Sequence, residues 1–485
     1  MTLGPDPAPD RCDRRERLQR RWDELCAAYL PLIDGDSIWR YSRTRETGDL
    51  AQGWKLHVSA TILNATQILE RIAPVLSECG VQFKAARSLE DVRSLNSGLL
   101  DAYSQVGKII TVYPRHHDEA LQLAERLHQL TYRFRTPLVP FDLRFRHRSN
   151  VYYRYGAFQH TELDHEDGRT SAVISASGEL VPDVRRNPKP DWVSDPFTAP
   201  RPAGKLLKQK AVPTGLFRVV RALVQRGKGG VYQAIDAQSN PPRLCLLKEG
   251  RRHGELSWDG RDGAWRVRNE ERVLLRLTRE GLNVPQVYAR FKVEGNVYLA
   301  LAFIDGESLH DLLLRQQRRL PIKCVLSFGI EIASFLAQMH RAGWAWRDCK
   351  PNNLILKRDG RIVPIDFEGA EQISRPDSRL WGTRGFLPRV GRGQGSHHGL
   401  ADDLYALGSI MFLLITGQMF DEAKRIPIAR LRRNVPSDLR LLVESLLAIE
   451  PQERPGAENV QAQLTAIFRT HWPEVRPLLP GVKAA

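Results

Sequence analysis

Two short polar patterns constrain this chain more than any other feature. The first runs from Asp348 through Lys350 to Asn353, and the second is Asp366, which follows the apolar segment Ile362-Val-Pro-Ile365. A base, a cation and oxygen ligands at separated but ordered places suit phosphoryl transfer, because that reaction depends on positioning and on charge around the moving phosphoryl group. The two patterns therefore predict a fold that brings these four polar residues together.

The segment around Asp348 resembles the catalytic loop of protein kinases. The resemblance makes Asp348 the catalytic base and places Lys350 near the transferred phosphate. Asn353 and Asp366 take the positions of the metal ligands. It also implies ATP, or another nucleoside triphosphate, and Mg²⁺ as cofactors.

Two residues depart from the kinase pattern. Trp346 replaces the His that is usual in the catalytic loop, and Glu368 replaces the Gly that usually follows Asp-Phe. Switching by phosphorylation of the activation loop is therefore not expected. The base and metal positions are intact, which argues against a scaffold protein with an inactive kinase fold.

Residues that would hold the nucleotide precede the catalytic loop in the expected order. Gly227, Gly229 and Gly230 lie in a glycine-rich turn, where the lack of Cβ atoms lets backbone N–H groups approach a triphosphate. A glycine-rich turn alone is weak evidence, because most such turns are only turns. Further along, the backbone of Ala302 and Ile304 occupies the hinge position and would recognise adenine.

Lys248 ends the apolar segment Leu244-Cys-Leu-Leu247, which is typical of a buried strand. A buried ammonium without a partner would cost several kcal/mol, so Lys248 requires an acidic partner. The following helical segment offers Glu270, the favoured partner, and Glu271, the alternative. Either carboxylate could instead be solvated on the helix surface.

Cationic side chains also recur in the amino-terminal half. Lys55 and His57 are two residues apart in a strand-like segment, so both side chains point to one face. Such a pair alone is more often just two solvent-exposed side chains without a functional role. Lys84, Lys108 and the basic cluster from Arg144 to Arg154 lie in the same domain, however, and this much cationic side chain predicts a phosphate site.

Three segments in this half resemble class III lanthionine synthetases: Gly53 to Ala60, Gly107 to Pro114, and Val151 to Phe158. The resemblance continues into the kinase-like half and spans about residues 41 to 467. In that family a kinase phosphorylates Ser and Thr of a ribosomal peptide, and a lyase domain related to phosphothreonine lyases eliminates the phosphate.

The resemblance implies residue roles for the elimination. Lys84 is the base for the α-proton and His57 is the acid for the departing oxygen, and Tyr41 is a further candidate to assist. Lys84 must be neutral to act, and neighbouring cations would lower its pKa towards neutrality. His57 titrates nearer the working pH and is expected to be protonated readily. The expected clamps for phosphate or carbonyl oxygen are Lys55, Lys108, Arg148 and Arg154.

The predicted fold class is multidomain, with an α+β phosphothreonine-lyase-like domain followed by a bilobal protein-kinase-like fold. The expected boundaries, from shifts in composition and periodicity, are a charged leader and helix in 1–40, the lyase-like domain in 41–177, a Pro-rich linker in 178–215, the kinase-like domain in 216–470 with its small lobe in 216–303 and large lobe in 304–470, and a tail in 471–485. The leader is expected to extend to about Arg17, with helical periodicity from Leu18 to Leu30.

Charge and cysteine usage limit the partners and the compartment. The net charge of +16 should attract polyanions, acidic peptides or phosphorylated substrates, although a solvated basic surface is an equally good interpretation. No basic run is interleaved with aromatic residues, so nucleic acid is not an expected partner. The six cysteines show no Cys-x-x-Cys spacing and suggest reduced thiols in a cytoplasm. No stretch approaches the roughly 18 uninterrupted apolar residues of a membrane span.

The sequence therefore predicts an ATP-dependent dehydratase that acts on a precursor peptide with a leader and a Ser/Thr-rich core. Members of the family usually carry a third, cyclase-like domain, whereas this chain ends soon after the kinase-like segment, so ring formation is expected to be left to a separate cyclase or to spontaneous addition. The alternative hypothesis is a bacterial Ser/Thr kinase that acts in signalling, with a non-catalytic amino-terminal domain.

Overall fold

The structure is a computed structural model that describes residues 9–33, 37–99, 103–159, 162–165, 168–197, 216–316, 319–376, 381–388 and 399–474. The chain divides into two compact units. The first comprises Met1–Asn240, Lys248–Trp265 and Phe291–Tyr298, and the second comprises Pro241–Leu247, Arg266–Arg290 and Leu299–Ala485.

A seven-stranded antiparallel sheet organises the first unit. Its strands are β1 (Leu32–Ile33), β2 (Trp39–Tyr41), β3 (Gln52–Val58), β4 (Gln82–Ala86), β5 (Ile110–Tyr113), β6 (Leu143–Arg144) and β7 (Val151–Ala157), in the spatial order β1-β2-β4-β5-β3-β7-β6. The helices that accompany it are α1 (Pro9–Tyr29), α2 (Ala65–Glu78), α3 (Leu89–Ser97) and α4 (His117–Thr131).

One face of this sheet is apolar and forms the core. Strands β3, β4 and β5 contribute Leu56, Phe83 and Val112, all fully buried. Helix α2 buries residues at helical spacing, including Ile68 and Ile72, so its apolar stripe faces this core. Because side chains alternate along a strand, the polar residues between the buried apolar ones point to the opposite face.

The first helix begins earlier than the sequence predicts. Helix α1 starts at Pro9, not at Leu18, and proline is well tolerated in the first helical turn, where its missing N–H is not needed. Trp22 and Cys26 of this helix are fully buried in the core. The expected frayed leader up to Arg17 is thus helical from Pro9 onward.

Part of the predicted linker belongs to the fold of the first unit. Strands β8 (Glu162–His165), β9 (Gly168–Ile174) and β10 (Leu180–Pro182) form a three-stranded sheet in the order β10-β9-β8. The ring of Phe197 lies 5.5 Å from that of Trp54 and 4.0 Å from that of Tyr153. The rest of the predicted linker, residues 198–215, lies outside the described residues, and there the linker stays a prediction.

The strands that carry the predicted nucleotide-binding residues form a five-stranded sheet with one long helix. They are β11 (Phe217–Arg226), β12 (Gly229–Asp236), β13 (Arg243–Gly250), β14 (Val287–Val293) and β15 (Asn296–Ala302), in the order β11-β12-β13-β15-β14, and helix α5 (Gly263–Arg279) follows β13. Arg226 and Gly229 are register partners, so Gly227 and Lys228 form a two-residue turn between β11 and β12.

The remainder of the chain is mostly helical. Its elements are β16 (Gly306–Ser308), α6 (Leu309–Gln316), α7 (Ile322–Arg341), β17 (Trp344–Ala345), β18 (Leu354–Lys357), β19 (Ile362–Pro364), β20 (Glu371–Gln372), α8 (Gly399–Thr416), α9 (Ile428–Leu431), α10 (Ser437–Leu446) and α11 (Ala457–His471). Strands β16, β18 and β19 form a small sheet, and β17 pairs with β20.

Helices α7 and α8 are long and apolar enough to cross a membrane by length and mean hydropathy alone. Their most apolar windows are 72% and 78% buried inside the protein, which is typical of the core helices of a globular domain. The expected absence of a membrane span stays a prediction.

Candidate functional sites

The polar face of the seven-stranded sheet aligns the predicted elimination residues in one row. Antiparallel register partners point to the same face of a sheet. Adjacent strands here pair Tyr41 with Lys84, Lys84 with Thr111, and Thr111 with His57. Two residues away on the same face, Lys55 of β3 is the register partner of Arg154 of β7. The proposed base, acid and two of the clamps therefore converge through strand register.

A cavity of about 200 Å³ lies over this row. It is lined by five of the seven residues predicted for elimination, namely Lys55, His57, Lys84, Lys108 and Arg154, whereas Tyr41 and Arg148 are not among the lining residues. A single water molecule needs only about 10–15 Å³ on the same measure, so the cavity has room for a ligand much larger than water. Its cationic lining favours an anionic ligand.

His57 is held by a carboxylate that the sequence analysis did not identify. Oδ2 of Asp142 lies 2.5 Å from Nδ1 of His57, and Oδ1 of Asp142 accepts a hydrogen bond from Nζ of Lys108 at 2.7 Å. The Asp142 side chain is fully buried. Burial acts to raise its pKa, but the charges of His57 and Lys108 outweigh it and lower the pKa to about 2. Asp142 therefore stays ionised and orients both side chains.

Burial lowers the pKa values of the three lysines and the histidine that line the cavity. Burial and the charge of Arg185 lower the pKa of Lys84 to about 8, and burial together with Arg154 lowers that of Lys55 to about 7. The Lys84 ammonium also lies 4.2 Å from the ring centroid of Trp39. Lys84 can therefore lose its proton near neutral pH, as a general base requires.

The pKa of His57 is lower than the sequence analysis expected. Burial lowers it to about 4, and the opposing effect of Asp142 does not restore it. A phosphate dianion beside the imidazole would raise this pKa, because an opposite charge favours the protonated form. Protonation of His57 is thus coupled to the arrival of an anion.

Arg148 is not part of this cavity. It lies exposed in the turn that precedes β7, with a φ of 62°, and is not among the lining residues. Its assignment as a clamp is not supported, because sequence proximity to Arg154 does not place it on the same sheet face. Arg185, from the segment predicted as a linker, lines the cavity in its stead. Arg154 forms an ion pair with the buried Asp183.

The predicted catalytic loop holds Asp348 between two donors. Nζ of Lys350 donates to Oδ2 of Asp348 at 2.7 Å, and the Thr383 hydroxyl donates to Oδ1 at 2.8 Å. Lys350 also donates to the Thr383 oxygen at 2.8 Å. Burial raises the pKa of Asp348, with Lys350 opposing it. This closed triangle aligns the carboxylate to accept a proton from a hydroxyl group.

Asn353 and Asp366 suit a Mg²⁺ ion. The amide nitrogen of Asn353 donates to the backbone oxygen of Asp348 at 2.9 Å, so the amide oxygen remains available as a ligand. The negative charge of Asp366 contributes to the raised pKa of Asp348, after burial, which is the main cause. Mg²⁺ prefers hard oxygen ligands and usually completes its shell with phosphate and water.

Trp346, which departs from the kinase pattern, anchors the catalytic loop to its neighbours. Its indole nitrogen donates to the backbone oxygen of Asp366 at 3.1 Å, and its ring stacks on Phe367 with centroids 5.4 Å apart. Its backbone N–H and that of Arg347 donate to Asp403 of α8 at 2.8 and 2.7 Å. The loop is therefore tied to both flanking segments.

Helix α5 contacts the segment that follows Asp366. Oε1 of Glu270, which is buried, accepts the backbone N–H of Phe367 at 3.2 Å. Glu271, the alternative partner of Lys248, forms an ion pair with Arg290 at 2.7 Å. Because Glu271 is paired with Arg290, Glu270 is the better candidate for the acidic partner of Lys248. The ion pair between Lys248 and Glu270 stays a prediction.

The other predicted nucleotide-binding residues lie at strand ends. Gly227 forms the β11–β12 turn, and Gly229 and Gly230 begin β12. A Cβ atom at Gly229, whose φ is 154°, would overlap the carbonyl oxygen of Glu249, so only glycine fits. At the other end of the sheet, the amide of Ala302 donates to the carbonyl of Gln286 at 2.8 Å. Any contact of Ala302 with adenine would therefore use its carbonyl oxygen, beside the backbone of Ile304.

Three functional candidates were missed by the sequence analysis. Asp142 had a visible signal, because it is the only acidic residue between Arg133 and Arg148. Thr383 lies in the segment 381–388, Trp-Gly-Thr-Arg-Gly-Phe-Leu-Pro, which resembles the substrate-facing end of a kinase activation segment. Arg185 had no signal, since its segment reads as a Pro-rich linker.

Two protein-family models match the chain. The first, described as "RamC, N-terminal domain", matches residues 33–207, and the second, "Protein kinase domain", matches residues 223–464. The two matches establish an architecture of an amino-terminal RamC domain followed by a protein kinase domain.

Curated relatives cover both parts of the chain. A "Probable SapB synthase" of Streptomyces coelicolor is 31% identical over 432 residues, which are 84% of this chain and 44% of that protein. The Ser/Thr protein kinase PknA of a Nostoc species is 28% identical over 49% of this chain and 44% of its own length. PkaA of S. coelicolor, also a Ser/Thr protein kinase, is 31% identical over 55% of this chain and 51% of its own length.

The chain spans about half or less of the length of each of these relatives, so the absence of a cyclase stays a prediction. The kinase relatives support kinase activity, and the first relative extends the similarity across both domains. The chain thus joins a RamC amino-terminal domain to a protein kinase domain, and the resemblance to class III lanthionine synthetases predicted from its sequence is confirmed.

Proposed function

We propose that the protein dehydrates Ser and Thr residues of a ribosomally made precursor peptide, first by phosphorylation and then by elimination of the phosphate. The observation that carries this proposal is the cationic cavity over the seven-stranded sheet, in the same chain as a protein kinase domain. One half would attach a leaving group, and the other half has the residues that could expel it.

In the first step, Asp348 accepts the proton of a Ser or Thr hydroxyl while that oxygen attacks the γ-phosphorus of ATP. The bond between this phosphorus and the β–γ bridging oxygen breaks, and ADP leaves with the electron pair. Lys350 and Thr383 keep the carboxylate in position. Asn353 and Asp366 would hold Mg²⁺, which when bound neutralises charge on the phosphates. The further nucleotide contacts proposed are Gly229, Gly230, Lys248, Glu270 and the backbone of Ala302 and Ile304. Gly227, whose N–H already donates to the carbonyl oxygen of Ser97, would shape the turn that presents them.

In the second step, the cavity binds the phosphorylated side chain through Lys55, Lys108, Arg154 and Arg185. Neutral Lys84 removes the α-proton, and the electron pair of the broken C–H bond forms the Cα=Cβ double bond. The Cβ–O bond breaks, and His57 gives its proton to the departing oxygen. The products are inorganic phosphate and dehydroalanine from Ser, or dehydrobutyrine from Thr.

Phosphorylation and elimination can be tested separately with single substitutions in the full-length chain. An Asp348→Asn variant should fail to modify a precursor peptide with ATP and Mg²⁺ yet release phosphate from a synthetic phosphoserine peptide. Lys84→Ala should do the reverse and accumulate phosphopeptide, seen in mass spectra as an added phosphoryl group where the unmodified enzyme removes one water. Release of phosphate by Lys84→Ala at the normal rate would refute the assignment of the base.

Arg148 and Arg185 provide a matched pair for the cavity. Both are arginines, but only Arg185 lines the cavity. Arg185→Ala should raise the KM for the phosphopeptide, whereas Arg148→Ala should leave it unchanged. Equal effects of the two variants would indicate that net charge alone, and not this cavity, binds the phosphate.

A signalling Ser/Thr kinase with a non-catalytic amino-terminal domain is the second candidate function. It is favoured by the similarity of this chain to Ser/Thr protein kinases, of which PknA and PkaA are two examples. This function predicts phosphopeptide as the final product of the unmodified enzyme, with no release of phosphate from a phosphoserine peptide.

A further inference from the structure

The last turn of α3 contacts the glycine-rich turn between β11 and β12. The backbone N–H of Gly227 donates to the carbonyl oxygen of Ser97 at 2.9 Å. The final carbonyl groups of a helix have no partner inside the helix, so this bond satisfies one of them. A Cβ atom at Gly227 would overlap the carbonyl oxygen of Asn96, so the absence of a side chain is what permits this approach.

A second contact flanks the first. The guanidinium carbon of Arg251, just after β13, lies 4.5 Å from the ring centroid of Tyr103. The same guanidinium donates to the carbonyl oxygen of Arg226 at 2.8 Å, and the Arg251 backbone N–H donates to the carbonyl oxygen of Lys228 at 2.8 Å. Arg251 thus holds both sides of the two-residue turn and rests on a ring from the RamC domain.

The same turn of α3 also supports the cationic cavity. Leu95 lines the cavity. The buried Asn96 accepts the backbone N–H of Gly107 at 3.0 Å and donates to the carbonyl oxygen of Ala60 at 2.9 Å. Gly107 directly precedes Lys108, whose ammonium is bonded to Asp142. Residues 95 to 97 therefore connect the two sites. Leu95 and Asn96 contact the wall of the cationic cavity, and Ser97 contacts the glycine-rich turn of the kinase domain.

We propose that the end of α3 positions the glycine-rich turn for ATP and couples it to the phosphopeptide cavity. The proposal rests on the proposed function, since it assumes that ATP binds at the turn and a phosphorylated side chain in the cavity. A turn held in place loses less freedom when it closes on a triphosphate, so ATP binds more tightly. A ligand bound to Lys108 would further order the Gly107–Lys108 segment, which is hydrogen-bonded to Asn96. Because Asn96 and Ser97 contact the glycine-rich turn, the turn becomes more ordered as well, and the affinity for ATP rises.

Tyr103→Leu tests the positioning role. Leucine preserves apolar packing beside Phe141 but removes the ring beneath Arg251, and Tyr103 lies outside the residues assigned to either reaction. The KM for ATP in peptide phosphorylation should rise about fivefold, with kcat changed much less. Glu90→Gln, on the exposed first turn of the same helix, is the matched control and should leave the KM unchanged.

Gly227→Ala gives an independent variant from the other side of the contact. Its methyl group would push the turn away from Asn96, so the effects of Gly227→Ala and Tyr103→Leu on the KM for ATP should be less than additive in the double variant. Full additivity would show that the two residues act separately and would overturn the positioning role.

The coupling is measured by binding in a full-length Lys84→Ala variant, which does not consume the phosphopeptide. The Kd of a non-hydrolysable ATP analogue should fall about fivefold when a phosphoserine peptide is saturating, and the peptide should gain the same factor from the nucleotide. Adding Tyr103→Leu should abolish this difference. Both ligands binding with no mutual effect would overturn the coupling, whereas failure of either ligand to bind would count against the proposed function.

Discussion

Asp142 is the residue whose replacement tests the elimination site most directly. Its carboxylate is fully buried and accepts from both His57 and Lys108 at 2.5 and 2.7 Å. Asn at this position keeps the shape but not the charge. Its oxygen must face the ammonium of Lys108, which has only donors, so its NH₂ group faces Nδ1 of His57.

The expected loss follows from one hydrogen bond. The protonated form of His57, which gives its proton to the departing oxygen, loses a bond to a charged acceptor worth about 1.5–3 kcal/mol. At about 1.4 kcal/mol for each tenfold change, elimination in Asp142→Asn should slow about 10- to 150-fold. The pKa of His57 should also fall further, because Asp142 no longer favours the imidazolium.

The assay is release of inorganic phosphate from a synthetic phosphoserine peptide, in a full-length Asp348→Asn background. Asp183→Asn is the matched control, because it removes a buried carboxylate from Arg154 of the same cavity without contacting His57. We expect its kcat to change far less. Folded Asp142→Asn protein with an unaltered kcat would refute the role of Asp142 in positioning His57.

Three further predictions concern pH, the catalytic loop and the core. In the free enzyme His57 loses its proton as pH rises through about 4 and Lys55 loses its charge through about 7, whereas Lys84 becomes neutral through about 8. Because the first two groups must be protonated and the third must be neutral, kcat/KM for elimination should be level between about pH 4 and 7 and fall as pH rises further; a kcat/KM that rises above pH 7 would exclude these roles. Thr383→Val should lower the kcat of peptide phosphorylation about tenfold, with Thr383→Ser restoring it and elimination unaffected. Ile68→Ala should lower the free energy of unfolding in urea by about 2–5 kcal/mol, and a loss below about 1 kcal/mol would contradict its packing.

The catalytic loop could be predicted from sequence because its members are near neighbours along the chain. Asp348, Lys350 and Asn353 lie within one short segment, so their spacing alone carries the pattern. Thr383 completes the same triangle from the activation segment, and its hydroxyl was not identifiable because many residues of such a segment are polar. The anchoring by Trp346 was likewise hidden, since nothing local shows that an indole N–H reaches the backbone of Asp366.

The elimination site was predicted only in part, because its members come from the three strands β3, β4 and β7, from the segments that precede β5 and β6, and from a distant segment after β10. Alternation along β3 placed Lys55 and His57 on one face, and the resemblance supplied Lys84. Neither the strand alternation nor the family resemblance could show that Arg148 is exposed whereas Arg185 lines the cavity. That distinction depends on the path of the chain after β10.

The sequence by itself determined the class of reaction, because the kinase motifs are defined by the order and spacing of charged and glycine residues along the chain. That order does not depend on the fold. The tertiary structure alone decided which of those groups meet, and in what state of protonation. Strand register set Lys84, Thr111 and His57 side by side, and burial then lowered the pKa values of Lys84 and His57. Register and burial arise from contacts between distant parts of the chain, and no local pattern of residues records them.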